Sequence, residues 1–156
     1  MKYTHNNDTY DNQLEFYEDR LKTVDLLWCN QILNLIKPEN KIIKLNDIGC
    51  NYFQFFKEIK RMQRETYFDY FGYDIDSNFI NLGLKYFPQL NKKYSIQNIE
   101  NYLPRKADVS IISATLEHCE YPHKLLNNIF KSSSKKVILR TFLGEKNIKK
   151  LQDDKR

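Results

Sequence analysis

Short runs of β-branched and aromatic residues alternate with runs of helical periodicity between Leu14 and Thr141. The runs that predict strands cover residues 41–48, 67–73, 93–97, 107–113 and 137–141. Apolar residues at helical spacing predict helices over residues 14–37, 52–63, 77–87 and 122–132. Because strands that alternate with helices form parallel sheets covered on both faces, the pattern predicts a doubly wound α/β fold.

Residues that begin or end helices set the expected limits of these elements. Pro38 is predicted to stop the first helix, Ser77 to cap the third, and Pro122 to occupy the first turn of the last. The residues before the first helix, 1–13, are predicted to be irregular. The predicted organisation is an N-terminal segment and helix over 1–40, a ligand-binding domain over 41–145, and a charged tail over 146–156.

Composition narrows the class of protein. A chain of 156 residues with 41% hydrophobic residues predicts one globular domain. Its three cysteines have neither the spacing of a zinc site nor that of a disulfide framework, and no segment has the length and apolarity of a signal peptide or membrane span. We therefore expect a cytoplasmic protein without membrane contact. The net charge of +5 is spread along the chain, so a nucleic-acid partner is not expected.

Two acidic residues follow neighbouring predicted strands. Asp47 precedes Gly49 at the end of the first strand, and Asp74 follows the second. In a doubly wound sheet, ligands bind beyond the carboxyl ends of the strands, where the strand order reverses. A carboxylate accepts hydrogen bonds from both hydroxyl groups of a ribose, and a glycine turn lets a ligand approach the backbone. The two strand ends therefore predict a site for a nucleoside.

Four segments, each at a predicted strand end, resemble the motifs of the class I S-adenosylmethionine-dependent methyltransferases in that family's order. The resemblance covers residues 42–142. The four segments are Asp47-Ile48-Gly49-Cys50, Gly72-Tyr73-Asp74-Ile75-Asp76, the segment from Asn98 to Pro104, and Asp108 to Ser113 followed by Leu116-Glu117-His118.

The resemblance implies a Rossmann-like sheet with strand order 3-2-1-4-5 and S-adenosyl-L-methionine as cofactor. Asp74 would hold the ribose, Ile75 would pack on the adenine, and Asn98 would contact the adenine amino group. On the positions that match the motifs, the implied cofactor contacts are Asp47, Gly49, Cys50, Asn51, Asp74, Ile75, Asn98, Ile99 and Ser113.

The segment Leu116-Glu117-His118 is similar to that of family members acting on small molecules, which implies a small hydroxylated metabolite or sugar as methyl acceptor. His118 and Glu117 are the candidate catalytic residues, with His118 able to take a proton from a hydroxyl group. A buried hydrogen-bonded pair that stabilises the loop is the alternative role. Metal binding is not expected, because Ala114 occupies the position where related metal-binding families have an additional acid.

Asn51 and Phe53 stand where the family usually has its second and third glycines. A Phe53 ring could block the ligand, so the alternative function is a non-catalytic module or partner subunit with the same fold. A nicotinamide enzyme is disfavoured because the pattern G-x-G-x-x-G is absent. The family's sheet usually has two further strands, which predicts that the fifth strand is an edge covered by the tail, a partner or a second copy.

Overall fold

A computed structural model describes residues 10–23, 26–37 and 40–141. Its strands are β1 (Ile43–Ile48), β2 (Phe68–Asp74), β3 (Tyr94–Ile96), β4 (Ala107–Ser113) and β5 (Ser133–Arg140). Its α-helices are α1 (Tyr10–Thr23), α2 (Leu27–Leu35), α3 (Gln54–Arg61), α4 (Ser77–Tyr86) and α5 (Pro122–Ser132). Short 3-10 turns occupy Glu65–Tyr67, Pro88–Leu90 and Leu116–His118. None of the helices in these ranges has the length and apolarity to cross a bilayer.

The five strands form one sheet in the order β3-β2-β1-β4-β5, and every pairing is parallel. The predicted doubly wound fold and strand order are therefore confirmed. The chain builds outward from β1 to β2 and β3, then returns across β1 to β4 and β5. The order thus reverses beside β1, and the loops after β1 and β4 diverge there to leave a crevice.

Helices cover both faces of the sheet. The larger core, which contains Leu45 of β1, packs against buried side chains of the first four helices. The smaller core, which contains Ile48, packs against Leu125 and Ile129 of α5. Because side chains alternate along a strand, Asp47 shares the face of Leu45, and its neighbour Ile48 faces the other way.

The single helix predicted over 14–37 is wrong, because the structure has two helices there. Leu26, directly before α2, is buried and has an extended backbone with φ −95° and ψ 98°. The two helices pack on different partners: Tyr17 of α1 lies 4.9 Å from Phe79, and Trp28 of α2 lies 6.3 Å from Phe55, measured between ring centroids. Helical periodicity continues through both helices and does not reveal that they diverge.

Other element limits differ in smaller ways. The cap of α4 is Asp76 rather than Ser77, since Asp76 Oδ1 accepts a hydrogen bond from Asn78 N at 2.8 Å. Strand β5 begins directly after α5, four residues earlier than predicted, and Ser133 Oγ there donates to Ser110 Oγ at 2.6 Å. Helix α1 begins inside the segment predicted to be irregular. Pro38 and the tail after Thr141 lie outside the described residues, so the predictions for them stand as predictions.

Residues 97–106, all of which the structure describes, contain no helix or strand, and the side chain of Arg105 lies over Phe71 of β2. Its guanidinium lies 4.9 Å from the ring centroid of Phe71 and donates to Asp69 Oδ2 at 2.8 Å. Its backbone and side chain also hydrogen-bond the amide of Asn46, which is fully buried. Arg105 therefore covers the ring of Phe71 and also satisfies the hydrogen bonds of the buried Asn46 amide group.

We expect Arg105→Ala to lower the free energy of unfolding by about 2 kcal/mol, because part of the bonding to Asn46 is lost and Phe71 is exposed. Urea denaturation measures this change. Lys93→Ala is the matched control, since Lys93 pairs with the same Asp69 at 2.8 Å from an exposed position and should cost about 0.5 kcal/mol or less. Equal losses in the two variants would contradict the role given to Arg105.

Candidate functional site

The loop after β1 has a left-handed backbone at every second residue. The φ angles are +74° at Gly49, +53° at Asn51 and +64° at Phe53, so the two positions that lack the family's glycines adopt the conformation that glycine favours. The amides of Gly49 and Cys50 donate to the carbonyl of Tyr73 at 2.8 and 3.0 Å. The loop is thereby fixed against the end of β2 before α3 begins.

The ring of Phe53 is fully buried in the larger core. It packs near the rings of Tyr70 and Tyr94, at centroid distances of 6.3 and 6.4 Å. Gly72 and Gly83 provide the space: a Cβ added at Gly83 would lie 2.4 Å from Phe53 Cδ2. Phe53 therefore points into the core, and the obstruction expected from the sequence does not arise.

Asp74 joins the loops after β1 and β2. Its Oδ2 accepts a hydrogen bond from Asn51 N at 2.7 Å, and its Oδ1 accepts one from Asp76 N at 3.0 Å. Burial raises the pKa of Asp74, and the backbone amides of Asp76 and Asn51 oppose that rise. Because a carboxylate oxygen can accept more than one hydrogen bond, Asp74 has acceptor capacity left for the hydroxyl groups of a ligand.

A hollow lies beyond the carboxyl ends of β1, β2, β3 and β4, and its volume is about 970 Å³ counting its open mouth. Seven of the predicted residues form part of its wall. They are Gly49, Asn51, Asp74, Ile75, Asn98, Ile99 and His118. Ile75 is 44% exposed and offers an apolar surface to a ligand. Asn98 Oδ1 accepts from Glu100 N at 2.9 Å, which orients its amide group. Polar groups and an apolar surface thus converge where the strand order reverses.

The wall formed by the described residues does not include Asp47, Cys50, Ser113 or Glu117. Cys50 is buried, and burial raises the pKa of its thiol well above the usual range. Ser113 Oγ accepts from Arg140 at 3.3 Å, and Glu117 Oε1 accepts from Thr141 Oγ1 at 2.7 Å. The cofactor and catalytic roles predicted for these residues therefore stay predictions.

Asp47 is buried on the side of the larger core, where its Oδ2 accepts a hydrogen bond from the Tyr70 hydroxyl at 2.7 Å. Burial raises the pKa of Asp47 to about 7, the Tyr70 hydrogen bond opposes this, and the charge of Asp74 adds to it. The two acids thus lie at the same end of the sheet, as predicted, but the Asp47 side chain is buried and hydrogen-bonds with Tyr70 in the core.

The folded chain keeps the Asp47 proton between about pH 4 and 7, whereas an unfolded chain has released it. Since the folded state binds more protons in that window, stability falls as pH rises through it. We expect a loss of about 2 to 3 kcal/mol between pH 5 and 8, and less than half of it in Asp47→Asn. Urea denaturation across this range is the measurement.

Asp108→Asn is the control for this pH effect, because the backbone amide of Lys44 lowers the pKa of Asp108 and its titration lies below the window. An unchanged pH slope in Asp47→Asn would show that another group is responsible.

Sequence reasoning missed several wall residues. Among them are Phe79, Gln97, Glu100 and Thr115. Thr115 Oγ1 donates a hydrogen bond to the carbonyl oxygen of Ile48 at 3.1 Å. A Cβ added at Gly49 would lie 2.2 Å from Thr115 Oγ1. The sequence signal for Thr115 is its place just after β4. Gln97 and Glu100 lie in the irregular segment after β3, and Phe79 lies in the first turn of α4, where helical periodicity does not distinguish a wall residue from a core residue.

The sequence does not predict a metal site. Across residues 10–23, 26–37 and 40–141, no three His, Cys, Asp or Glu side chains converge in a way that could hold a metal ion. Cys119 lies in the wall of the hollow. Burial raises the pKa of its thiol to about 12, and the nearby carboxylates of Glu100 and Glu117 add to the effect. Its thiol is therefore protonated at neutral pH.

Solved structures share this fold. A SAM-dependent methyltransferase from Aquifex aeolicus is 16% identical, with 82% of this chain and 69% of that chain covered and a TM-score of 0.58. A TehB-like SAM-dependent methyltransferase from Corynebacterium glutamicum is 15% identical, with 85% and 77% covered and a TM-score of 0.63. An N-methyltransferase from Haemonchus contortus, in complex with phosphomonomethylethanolamine and S-adenosylhomocysteine, is 16% identical, with 87% and 35% covered and a TM-score of 0.69.

At these identities the likeness establishes the fold, and no curated protein sequence matches the chain. The family model described as Methyltransferase domain matches residues 46–139, which is more than half of the sequence and contains the end of β1 and all of β2, β3 and β4. The chain therefore belongs to the methyltransferase domain family, among the class I S-adenosylmethionine-dependent methyltransferases, whose cofactor is S-adenosylmethionine.

Proposed function

We propose that this methyltransferase acts on a hydroxyl group of a small metabolite or sugar, with the cofactor in the hollow beyond β1, β2, β3 and β4. One observation supports the position of the cofactor most strongly: Asp74 lies in the wall of the hollow, and two backbone amides hold its carboxylate in place. The N-methyltransferase from Haemonchus contortus holds S-adenosylhomocysteine on the same fold, which supports it.

Different wall residues would contact different parts of the cofactor. Asp74 would accept the ribose hydroxyl groups, Ile75 would pack on the adenine, and Asn98 and Ile99 would line its edge. Gly49 and Asn51 would leave room at the backbone for the methionine portion, since neither carries a large side chain into the hollow. When bound, S-adenosylmethionine supplies an electrophilic methyl group on a sulfonium centre. The protein contributes orientation and exclusion of water.

His118 is the residue that would handle the acceptor. It is exposed in the wall, in the loop after β4, and β1 separates that loop from the Asp74 loop. An imidazole placed there would accept the proton that a hydroxyl group loses as it is methylated. Glu117 would fix this loop through its hydrogen bond with Thr141 rather than contact the acceptor.

Calorimetric titration with S-adenosylhomocysteine tests the cofactor site first. Binding in the micromolar range is expected, and no heat of binding at millimolar ligand would favour the alternative of a non-catalytic module. The steric argument for that alternative was the ring of Phe53, which is buried in the core. Release of S-adenosylhomocysteine in the presence of sugars, other hydroxylated metabolites and amines then tests the acceptor class. Methylation confined to amines would contradict it.

His118→Gln should lower the turnover of a hydroxyl acceptor by about 100-fold or more, the usual effect of removing a general base. Its affinity for S-adenosylhomocysteine should stay within about threefold, because the proposed role is toward the acceptor. His123→Gln is the matched control, being an exposed histidine in the first turn of α5. Equal turnover in wild type and His118→Gln would remove His118 from the mechanism.

A further inference from the structure

Glu100 is a buried carboxylate that none of the roles above uses. It is 6% exposed and follows the proposed adenine residues Asn98 and Ile99. Its Oε1 accepts from Glu120 N at 3.2 Å, and its Oε2 accepts from Tyr121 N at 2.7 Å. A carboxylate is costly to bury, and two backbone amides from one loop satisfy it here.

A second contact joins the same two parts of the chain. Asn128 of α5 donates from Nδ2 to the carbonyl oxygens of Ile99 and Glu100, at 2.8 and 3.3 Å. The turn after β3 is thus fastened both to α5 and to the loop that precedes it. That loop begins with the turn that holds His118, two residues before Glu120.

Glu100 is also fixed on its other side. Asn98 Oδ1 accepts from Glu100 N at 2.9 Å, so the proposed adenine contact and Glu100 share a hydrogen bond. A continuous set of contacts therefore runs from Asn98 through Glu100 to the amides of Glu120 and Tyr121. It connects the wall proposed for the adenine to the loop proposed for the acceptor.

We propose that Glu100 is a positioning residue that couples occupancy of the cofactor pocket to the order of the His118 loop. A ligand that restrains Asn98 and Ile99 also restrains Glu100, whose carboxylate then holds the two amides of the loop more firmly. His118 is thereby set for the acceptor only when the cofactor is present. The inference rests on the proposed function, since it needs a nucleoside ligand in this pocket.

Hydrogen exchange of the full chain, with and without saturating S-adenosylhomocysteine, tests the coupling in the wild type. The amides of Glu120 and Tyr121 should exchange about tenfold more slowly with ligand bound. In Glu100→Gln, which replaces one acceptor oxygen by a donor, both amides should exchange faster and the ligand effect should fall to about twofold or less. Glu120→Gln is the matched control, because it removes a charge from the same loop but keeps the contact, and it should behave as the wild type.

The imidazole NMR signals of His118 give a readout that stability alone would not move. Addition of S-adenosylhomocysteine should shift or sharpen them in the wild type and in Glu120→Gln, and leave them unchanged in Glu100→Gln. Ligand binding without slower exchange at Glu120 and Tyr121 in the wild type would overturn the coupling and leave the proposed function standing. A full His118 response in Glu100→Gln would also overturn it. Absence of ligand binding to the wild type would overturn the proposed function and the coupling together.

Discussion

Asp74→Ala is expected to weaken the binding of S-adenosylhomocysteine by about 100-fold or more, which corresponds to about 3 kcal/mol. Two losses combine. The ribose hydroxyl groups lose a charged acceptor, and the amides of Asn51 and Asp76 lose the carboxylate that holds the loops after β1 and β2. The loss of the loop anchor means that ligand contacts made by neighbouring residues also weaken. Calorimetric titration of wild type and variant measures the change.

Two further variants make the Asp74 prediction specific. Asp74→Asn keeps one acceptor oxygen and should fall between wild type and Asp74→Ala. Asp108→Ala removes an acid from the amino-terminal end of β4, far along the strand from the hollow, where it accepts from Lys44 N at 3.0 Å. Its affinity for the ligand should stay within about twofold of wild type. Full affinity in Asp74→Ala would place the nucleoside elsewhere.

The sheet could be predicted from the sequence because its strands are local. The run from Ala107 to Ser113 is apolar enough to be buried on both faces, and the structure has β4 at the same limits. The separation of α1 from α2 could not, since it depends on tertiary partners: Phe79 and Phe55 lie on different elements. Helical periodicity is a property of each helix alone and does not show that the two helices are separate.

The candidate site was predictable where a strand end delivers the residue directly. Asp74 is the last residue of β2, and its position follows from the strand. Asp47 differs because Ile48 follows it within β1, and alternation turns the two side chains to opposite faces of the sheet. Glu100 depends on a contact with residues 20 and 21 positions further along the chain. No local pattern carries such a contact.

The departure at Phe53 is explained by compensation on neighbouring elements. A glycine in this turn normally permits close packing of helix and strand. Here the residue is a phenylalanine with a left-handed backbone, and glycines at positions 72 and 83 leave space for its ring. In this chain the small residues that make room lie on β2 and α4 instead of in the loop. The packing of the Phe53 ring in the core therefore depends on the absence of a side chain at Gly83.

Gly83→Ala should accordingly lower the free energy of unfolding by about 3 kcal/mol, although the same change in an ordinary helix raises it by about 1 kcal/mol. The new Cβ would lie 2.4 Å from Phe53 Cδ2 and 2.9 Å from the backbone carbon and oxygen of Tyr52, and the backbone atoms cannot move aside alone. Urea denaturation gives the value. Asn81→Ala, at an exposed position of the same helix, is the control and should be neutral or slightly stabilising.

A double-mutant cycle with Phe53→Leu separates the ring from the backbone. If the ring is the main obstacle, Gly83→Ala should cost at least about 1 kcal/mol less in the Phe53→Leu background than in the wild type. The remaining cost would come from the contact with Tyr52. A stabilising effect of Gly83→Ala in the wild type, or equal costs in both backgrounds, would contradict the compensation, because the space beside Gly83 would then not be reserved for the ring of Phe53.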